Sequence, residues 1–301
     1  MSLLLWEVFD VRIQNTDVVV EGHLLKTARL EHEWFDDVTD PETFQRALRE
    51  DNVAADLFSF WQRYPGKTPK FDYTVEWENL AVLPVRTFDE WWNEKIKSRI
   101  RGLIRKSEKM GLVVRETQFD DDFVRGMVEI FNESPIRQGR RFWHYGKDFD
   151  TVKREFSRFL FREDIIGAYY EGSLIGFVML SNAGNYTSLG QIISRIKHRD
   201  KAPNNALIAK AVEVTARRQI PYIVYNYWNE TGLTEFKRRN GFESQRVPRY
   251  YLPLTIKGRV ALRVGAHRPL AEILPKRMVS GLKQLRAALY ARRYGATPDN
   301  A

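Results

Sequence analysis

Lys237 stands four residues before Gly241 in the stretch 235–241 (EFKRRNG), in what the spacing predicts as the last turn of a short helix. Two roles suit a lysine there. As a solvated cation it favours a helix C-terminus, worth roughly a few tenths of a kcal/mol. As a cation directed into a site it stabilises an oxyanion or holds a phosphate, and desolvation lowers its pKa toward the range of proton transfer. Residues 135–149 (PIRQGRRFWHYGKDF) concentrate further chemistry. Arg137, Arg140 and Arg141 offer planar forks for phosphate or carboxylate. Trp143 and Tyr145 are suited to stacking on a sugar or base, and His144 to moving a proton. The alternative is a surface loop pinned by its aromatics. On the segment 221–230 (PYIVYNYWNE), core packing accounts for Tyr225 and the other aromatics, whereas Asn226 and Glu230 call for another explanation.

Other chemistries are excluded or unsupported. The chain has no cysteine, which rules out disulfides, zinc–thiolate sites and cysteine nucleophiles and predicts a reducing compartment. His23, His32, His144, His198 and His267 show no ligand spacing, so no metal is expected, and residues 31–37 read as a solvated acidic stretch. No nucleophile elbow and no Walker loop is present. The N-terminal residues MSLLLWEVFDVRIQ lack the pattern of a signal peptide, and no apolar run is long enough to span a bilayer; a cytoplasmic protein is expected.

The elements that must position these groups are legible in the periodicity. Residues 1–85 mix strands with helices near 41–62, and 64–70 read as a loop. Thr87-Phe88-Asp89-Glu90 is a capping box that opens a basic helix, with Phe88, Trp92, Ile96, Ile100, Leu103 and Ile104 on one face and Gly111 as its stop. A strand at 112–117 precedes two amphipathic helices, one with Phe123, Met127, Ile130 and Phe131 and one with Val152, Phe156, Phe159 and Leu160. Three strands joined by short turns follow, then a helix opened by Pro203, a buried strand at 221–228, the helix carrying Lys237, and a closing strand at 242–254. The order from 112 is β-α-α-β-β-β-α-β-α-β, a mixed α/β sheet. Of the net charge of +9, the segment from Ile256 onward supplies most, with ten basic residues against two acidic ones; residues 274–295 form a basic amphipathic pattern. Such a tail is suited to docking on the body, on an anionic membrane surface, or on RNA.

This order, ending in the helix with FKRRNGF, resembles the GNAT acyltransferase fold. The segments KSRIRGLIRKSEKMGLVVRE and NESPIRQGR (132–140) resemble the Fem-like peptidoglycan aminoacyl transferases and their relatives. The resemblance covers residues 86–255 and implies a mostly antiparallel GNAT-like sheet. Residues 1–85 would be a shortened first half and 256–301 a basic tail. It also implies acyl transfer to an amine of a sugar, amino acid or cell-envelope precursor. The family's oxyanion hole would fall on backbone N–H groups near Ile192, Ile193 and Ser194. Two departures matter. GNAT members hold the CoA pyrophosphate on a glycine-rich loop before a helix. Here that loop is 199–204 (RDKAPN), with Pro203 removing an N–H, so that Arg199, Lys201 and Asn204 would hold the phosphates. Where many GNAT members have a tyrosine acid, this chain has Lys237, a Fem-like feature. The catalytic candidates are thus Lys237, which the resemblance singles out, and His144 and Glu230, which their chemistry suggests. Arg137, Arg140, Arg141, Trp143, Tyr145, Tyr225 and Asn226 fall on the acceptor side. The expected donor is acyl-CoA, because the loop keeps basic residues and the first domain looks short. An aminoacyl-tRNA donor is the alternative, and a non-catalytic module binding RNA or an anionic surface, including the inner membrane face, is a third reading.

Overall fold

The computed structural model describes residues 9–13, 15–228 and 232–268, which fall into two compact units. The chain passes from the first to the second after Leu80 and returns after Ser244. In this division residues 81–85 go with the second unit and residues 245–255 with the N-terminal region.

In the first unit, β1 (Phe9–Ile13), β2 (Thr16–Glu21) and β3 (Thr27–Leu30) form an antiparallel meander. Helix α1 (Pro41–Glu50) is capped by Asp40, whose carboxylate accepts from the Thr43 N–H at 3.0 Å. A helix continuing toward 62 was expected, but residues 57–61 (LFSFW) are a strand, β4 (Leu57–Trp61), parallel to β3. The reason is its period of two. Phe58 and Phe60 point into one core with Phe44, Leu48 and Tyr250, and a helix would scatter them. β5 (Thr74–Pro84) then leads into the second unit.

The expected continuous helix from Thr87 is broken. A short turn α2 (Phe88–Glu90) runs into a π-helical turn at Trp91–Lys95, and Ile96 and Lys97 are extended before α3 (Ser98–Lys109). Three hydrogen bonds from two side chains hold the break. Trp91 Nε1 donates to the Asn240 carbonyl at 3.0 Å, and Arg101 donates to the carbonyls of Trp92 (2.9 Å) and Ile96 (2.7 Å), which the interruption leaves free. Apart from an unexpected hairpin and a second helix that ends at Phe156, short of Phe159 and Leu160, the order then follows the expected one: β6 (Val113–Glu116), α4 (Asp121–Phe131), the hairpin strands β7 (Ile136–Arg137) and β8 (Arg140–Arg141), α5 (Phe149–Phe156), β9 (Glu163–Tyr170), β10 (Ser173–Asn182), β11 (Thr187–Ser194), α6 (Pro203–Arg217), β12 (Tyr222–Tyr227) and α7 (Gly232–Arg239). The strand order of this unit is β5-β12-β11-β10-β9-β6. Along β10, Phe177 and Met179 join α4 and α5 in one core, and Ile175, Val178 and Leu180 join α3 and α6 in another. Burial on both faces explains why this strand reads as one apolar run.

Back in the first unit, β13 (Glu243–Pro253) pairs antiparallel with β4, and Arg249 is buried there between Glu33 (2.8 Å) and Glu78 (2.6 Å). Glu33 is therefore an internal ion-pair partner and not part of a solvated stretch. Helix α8 (Ile256–Arg263) is no free tail: Lys257 and Thr255 both bind Asp56 at 3.0 Å. A Cβ at Gly258 would lie 2.0 Å from the Asp56 carbonyl oxygen. The basic pattern at 274–295 lies outside the described residues.

Candidate active site

β11 and β12 are the parallel pair of the second unit, and their register holds only at Thr187↔Ile223 and Ser188↔Val224. β11 continues to Ser194 and β12 to Tyr227, so past the last pair the two strands diverge. Two local distortions mark the divergence. On β11 the register with β10 shifts between Met179↔Gln191 and Leu180↔Leu189, leaving Gly190 as a bulge. On β12, Asn226 takes φ +49°, a left-handed conformation that asparagine tolerates better than most residues. Between the strands lies a cavity of about 410 Å³.

Lys237 explains how β12 keeps its kinked end. Its Nζ donates to the carbonyls of Tyr225 (2.7 Å) and Tyr227 (2.8 Å), on either side of Asn226, and sits 4.4 Å from the centre of the Tyr225 ring. The residue is 3% exposed, so the solvated-cation reading does not hold. Burial lowers its pKa to about 8, which leaves the ammonium form dominant at pH 7. It does not line the cavity; it fixes the strand that does. The helix end is held in turn by Asn240, fully buried, which donates to the Phe236 carbonyl at 2.8 Å and accepts from Asn205 at 3.1 Å.

The opposite wall comes from the segment expected to be a loop. Gln138 (φ +54°) and Gly139 (φ +67°) make a tight turn of the kind that joins two-residue hairpins, and it sets Arg137 opposite Arg140. Arg137, Arg140 and Arg141 all line the cavity, as do Ile192, Ile193, Ser194, Arg199, Asn204, Tyr225 and Asn226. Burial pushes the Tyr225 phenol up, so it stays a neutral O–H group. Arg137 is clamped by the carbonyls of Ser194 and Ile130, each at 2.8 Å, and by Glu133 at 3.2 Å. Its Nε is buried without a partner, as is Oδ1 of Asn204.

Glu133 was not singled out from the sequence, although its spacing to Arg137 is that of an i,i+4 ion pair. Its carboxylate accepts from the backbone N–H groups of Ile196 (2.5 Å) and Lys197 (3.0 Å), at the start of the 3₁₀ segment Ile196–Lys201. These donors precede α6, and they are filled by the protein's own anion. Ala202, at φ +46°, and Pro203, which has no N–H, complete the turn.

The structure does not bring every candidate here. Lys201 turns away, lying 4.5 Å from the centre of the Tyr170 ring and paired with Asp200 at 3.2 Å. Trp143 is 80% exposed under Lys147, and neither it nor Tyr145 lines the cavity. His144 stacks on Phe131 (centroids 4.5 Å apart) against Phe142 and Phe156, so it is an aromatic packing group and does not reach the cavity. Glu230 lies outside the described residues. Asp17, Glu31 and His32 place ligand-type atoms within 4.8 Å of one another, in the other unit.

Burial lowers His144 to about 4. The unfolded imidazole binds a proton near pH 6.5 that the folded one refuses, so stability present above pH 6.5 is lost as pH falls toward 4. His144→Phe is expected to flatten this acid-side loss while leaving function intact. Urea unfolding of both proteins between pH 4 and 7 measures it, and equal slopes for the two would contradict it.

No family model matches the chain, and the search of curated proteins returns no relative. Solved structures do resemble it. The C-terminal domain of a putative lysylphosphatidylglycerol synthetase from Agrobacterium fabrum superposes with a TM-score of 0.57 at 12% identity, covering 85% of this chain and 87% of that one. L-PGS from Bacillus licheniformis gives 0.56 at 13%, covering 87% and 90%. FemX gives 0.52 at 10%, covering 81% and 88%. The match to FemX takes in most of both chains. The chain has the GNAT-like fold of the Fem and lysylphosphatidylglycerol synthetase structures.

Proposed function

We propose that the protein is an acyltransferase that takes an aminoacyl group from the 3′ end of a tRNA and passes it to the amine of a small-molecule or envelope-precursor acceptor in the β11–β12 cavity. The observation that carries the choice of donor is Glu133. Where a CoA pyrophosphate would need free backbone N–H groups before α6, those of Ile196 and Lys197 already bind a carboxylate, and Pro203 supplies none. The cavity instead offers Arg199 as a side-chain cation, which suits a phosphate of a polynucleotide end, and leaves Arg140 and Arg141 for an acceptor. The names of two similar structures, lysylphosphatidylglycerol synthetases, also denote an aminoacyl product.

In this reading the acceptor nitrogen attacks the ester carbonyl. The C–N bond forms, the ester C–O bond breaks, and the nitrogen's proton ends on the ribose oxygen released. The backbone of β11 beyond Ser188, free of β12, faces the developing oxyanion. Arg199 and Asn204 lie on the donor side, and Arg140 and Arg141 on the acceptor side.

The test is a transfer assay with two radiolabelled donors, mixed aminoacyl-tRNA and acetyl-CoA, each with a cell extract as acceptor pool. Label should leave the RNA and enter an acid-stable product, and acetyl-CoA should transfer nothing and give no saturable heat on titration. Transfer from acetyl-CoA would restore the acyl-CoA reading. Tight RNA binding with no transfer from either donor would favour the non-catalytic one.

A further inference from the structure

The basic helix α3 has no place in the chemistry above, yet its outward cations are unusual. On α3 Arg99, Lys106 and Lys109 are exposed, as are Lys95 and Lys97 just before it, and among the described residues none of the five has a carboxylate partner. The same is true of Lys197 and Arg199 on the Ile196–Lys201 segment. Elsewhere in the unit, surface cations are commonly neutralised: Lys153 by Asp121, Lys210 by Glu213, Arg217 by Glu116, and Arg238 and Arg239 by Glu235.

These unpaired cations are connected. Tyr170 packs against His198 (centroids 5.5 Å apart) and Lys201, and its ring lies 4.0 Å from the Cβ position of Gly111, just past the end of α3. The 3₁₀ segment and α3 are also in direct contact. Arg199, on that segment, lines the cavity. Cations therefore lie at the cavity (Arg199), on the same segment (Lys197) and along α3, whose twelve residues span about 18 Å, with Asp200 and Glu108 the exposed acids among them.

We propose that this track binds the sugar–phosphate backbone of the RNA whose acylated end enters the cavity; the inference rests on the aminoacyl-tRNA reading of that site. A duplex stem is recognised through its phosphates and shape, which needs spaced, unpaired cations and little else. A membrane surface fits less well. The exposed positions of α3 are Ser98, Arg99, Gly102, Arg105, Lys106, Glu108 and Lys109, with no apolar side chain to insert, while Ile100 and Ile104 are buried in the core.

The experiment uses the full chain and measures fluorescence anisotropy with uncharged tRNA over a range of salt concentrations. The variant carries Lys97→Gln, Lys106→Gln and Lys109→Gln, at the start and along the exposed side of α3. The control carries Lys153→Gln, Lys210→Gln and Arg238→Gln, which removes cations that already have partners. The test variant should bind tRNA at least about tenfold more weakly, with the slope of log affinity against log salt shallower by about 2. The control should match the wild type. Transfer from a short aminoacylated CA dinucleotide, too small to reach α3, should be unchanged in the test variant. Undiminished tRNA binding by the test variant, or no tRNA binding by the wild type, overturns the proposal. So does a loss of binding confined to phosphatidylglycerol vesicles. The two readings separate cleanly. Transfer from aminoacyl-tRNA with undiminished binding by the test variant sinks the surface alone, and lysine-dependent RNA binding without any transfer sinks the reaction and keeps the surface.

Discussion

Lys237→Met is expected to lower acyl transfer by on the order of 10²-fold or more while the protein remains folded. The methionine fills the volume of the lysine stem but cannot donate. The carbonyls of Tyr225 and Tyr227, on either side of the left-handed turn at Asn226, then lose their bonds at 2.7 and 2.8 Å. Each charge-assisted bond to a buried carbonyl contributes about 1.5–3 kcal/mol. Removal of the desolvation cost of the ammonium offsets part of the loss, so the melting temperature should fall by a few degrees only. Transfer is far more sensitive, because a displacement of about 1 Å in a positioning element can cost about 10²-fold. Lys237 acts here through the strand and not by contact with the substrate, and pH distinguishes this from a merely structural role. As pH rises through about 8 the folded lysine loses its proton and transfer should decline. Stability should move the other way. Up to about pH 10.5 the unfolded lysine still binds the proton that the folded one has released, so this residue's contribution to stability rises with pH in that window. Both trends should vanish in Lys237→Met. Parallel pH profiles of transfer and urea stability for the two proteins measure this, and a variant that retains full turnover removes Lys237 from the account.

The second large effect concerns Gly190. At the β11 bulge, an added Cβ meets only the Met179 carbonyl oxygen, at 3.9 Å, and the backbone is not in the left-handed region. A larger side chain is therefore tolerated by the fold. Because Gly190 lines the cavity, that side chain has to stand in the space where the acyl group would sit. Gly190→Phe should reduce transfer to background with little change in stability, the opposite balance to a core substitution.

Most of the second unit's fold was legible in the sequence because its elements carry strong periodicity. The apolar run of β10, the capping box at Thr87 and the stop at Gly111 all announce themselves locally. What escaped was set by distant partners. The break between α2 and α3 depends on Arg101 and on the contact of Trp91 with Asn240, 149 residues away. The strand at 57–61 depends on Phe44 and Tyr250, the latter far along the chain. The site divided in the same manner. Arg137, Arg140, Arg141 and Asn226 were chosen for their chemistry, Tyr225 with them, and Arg199 and Asn204 through the family resemblance, and all of them line one cavity. His144 and Lys201 have equally apt chemistry, but aromatic neighbours claim both. Glu133 and Gly190 went unnoticed, since a self-supplied anion and a bulge become visible only once strands are paired.

The measurement that tests the central claim most directly is single-turnover transfer from aminoacyl-tRNA by the wild type and Gly190→Phe, with thermal unfolding recorded on the same samples. The account predicts label transfer by the wild type, transfer at background for the variant, and melting temperatures within a few degrees of each other. Undiminished transfer by a folded Gly190→Phe protein would place the reaction outside the β11–β12 cavity and contradict it.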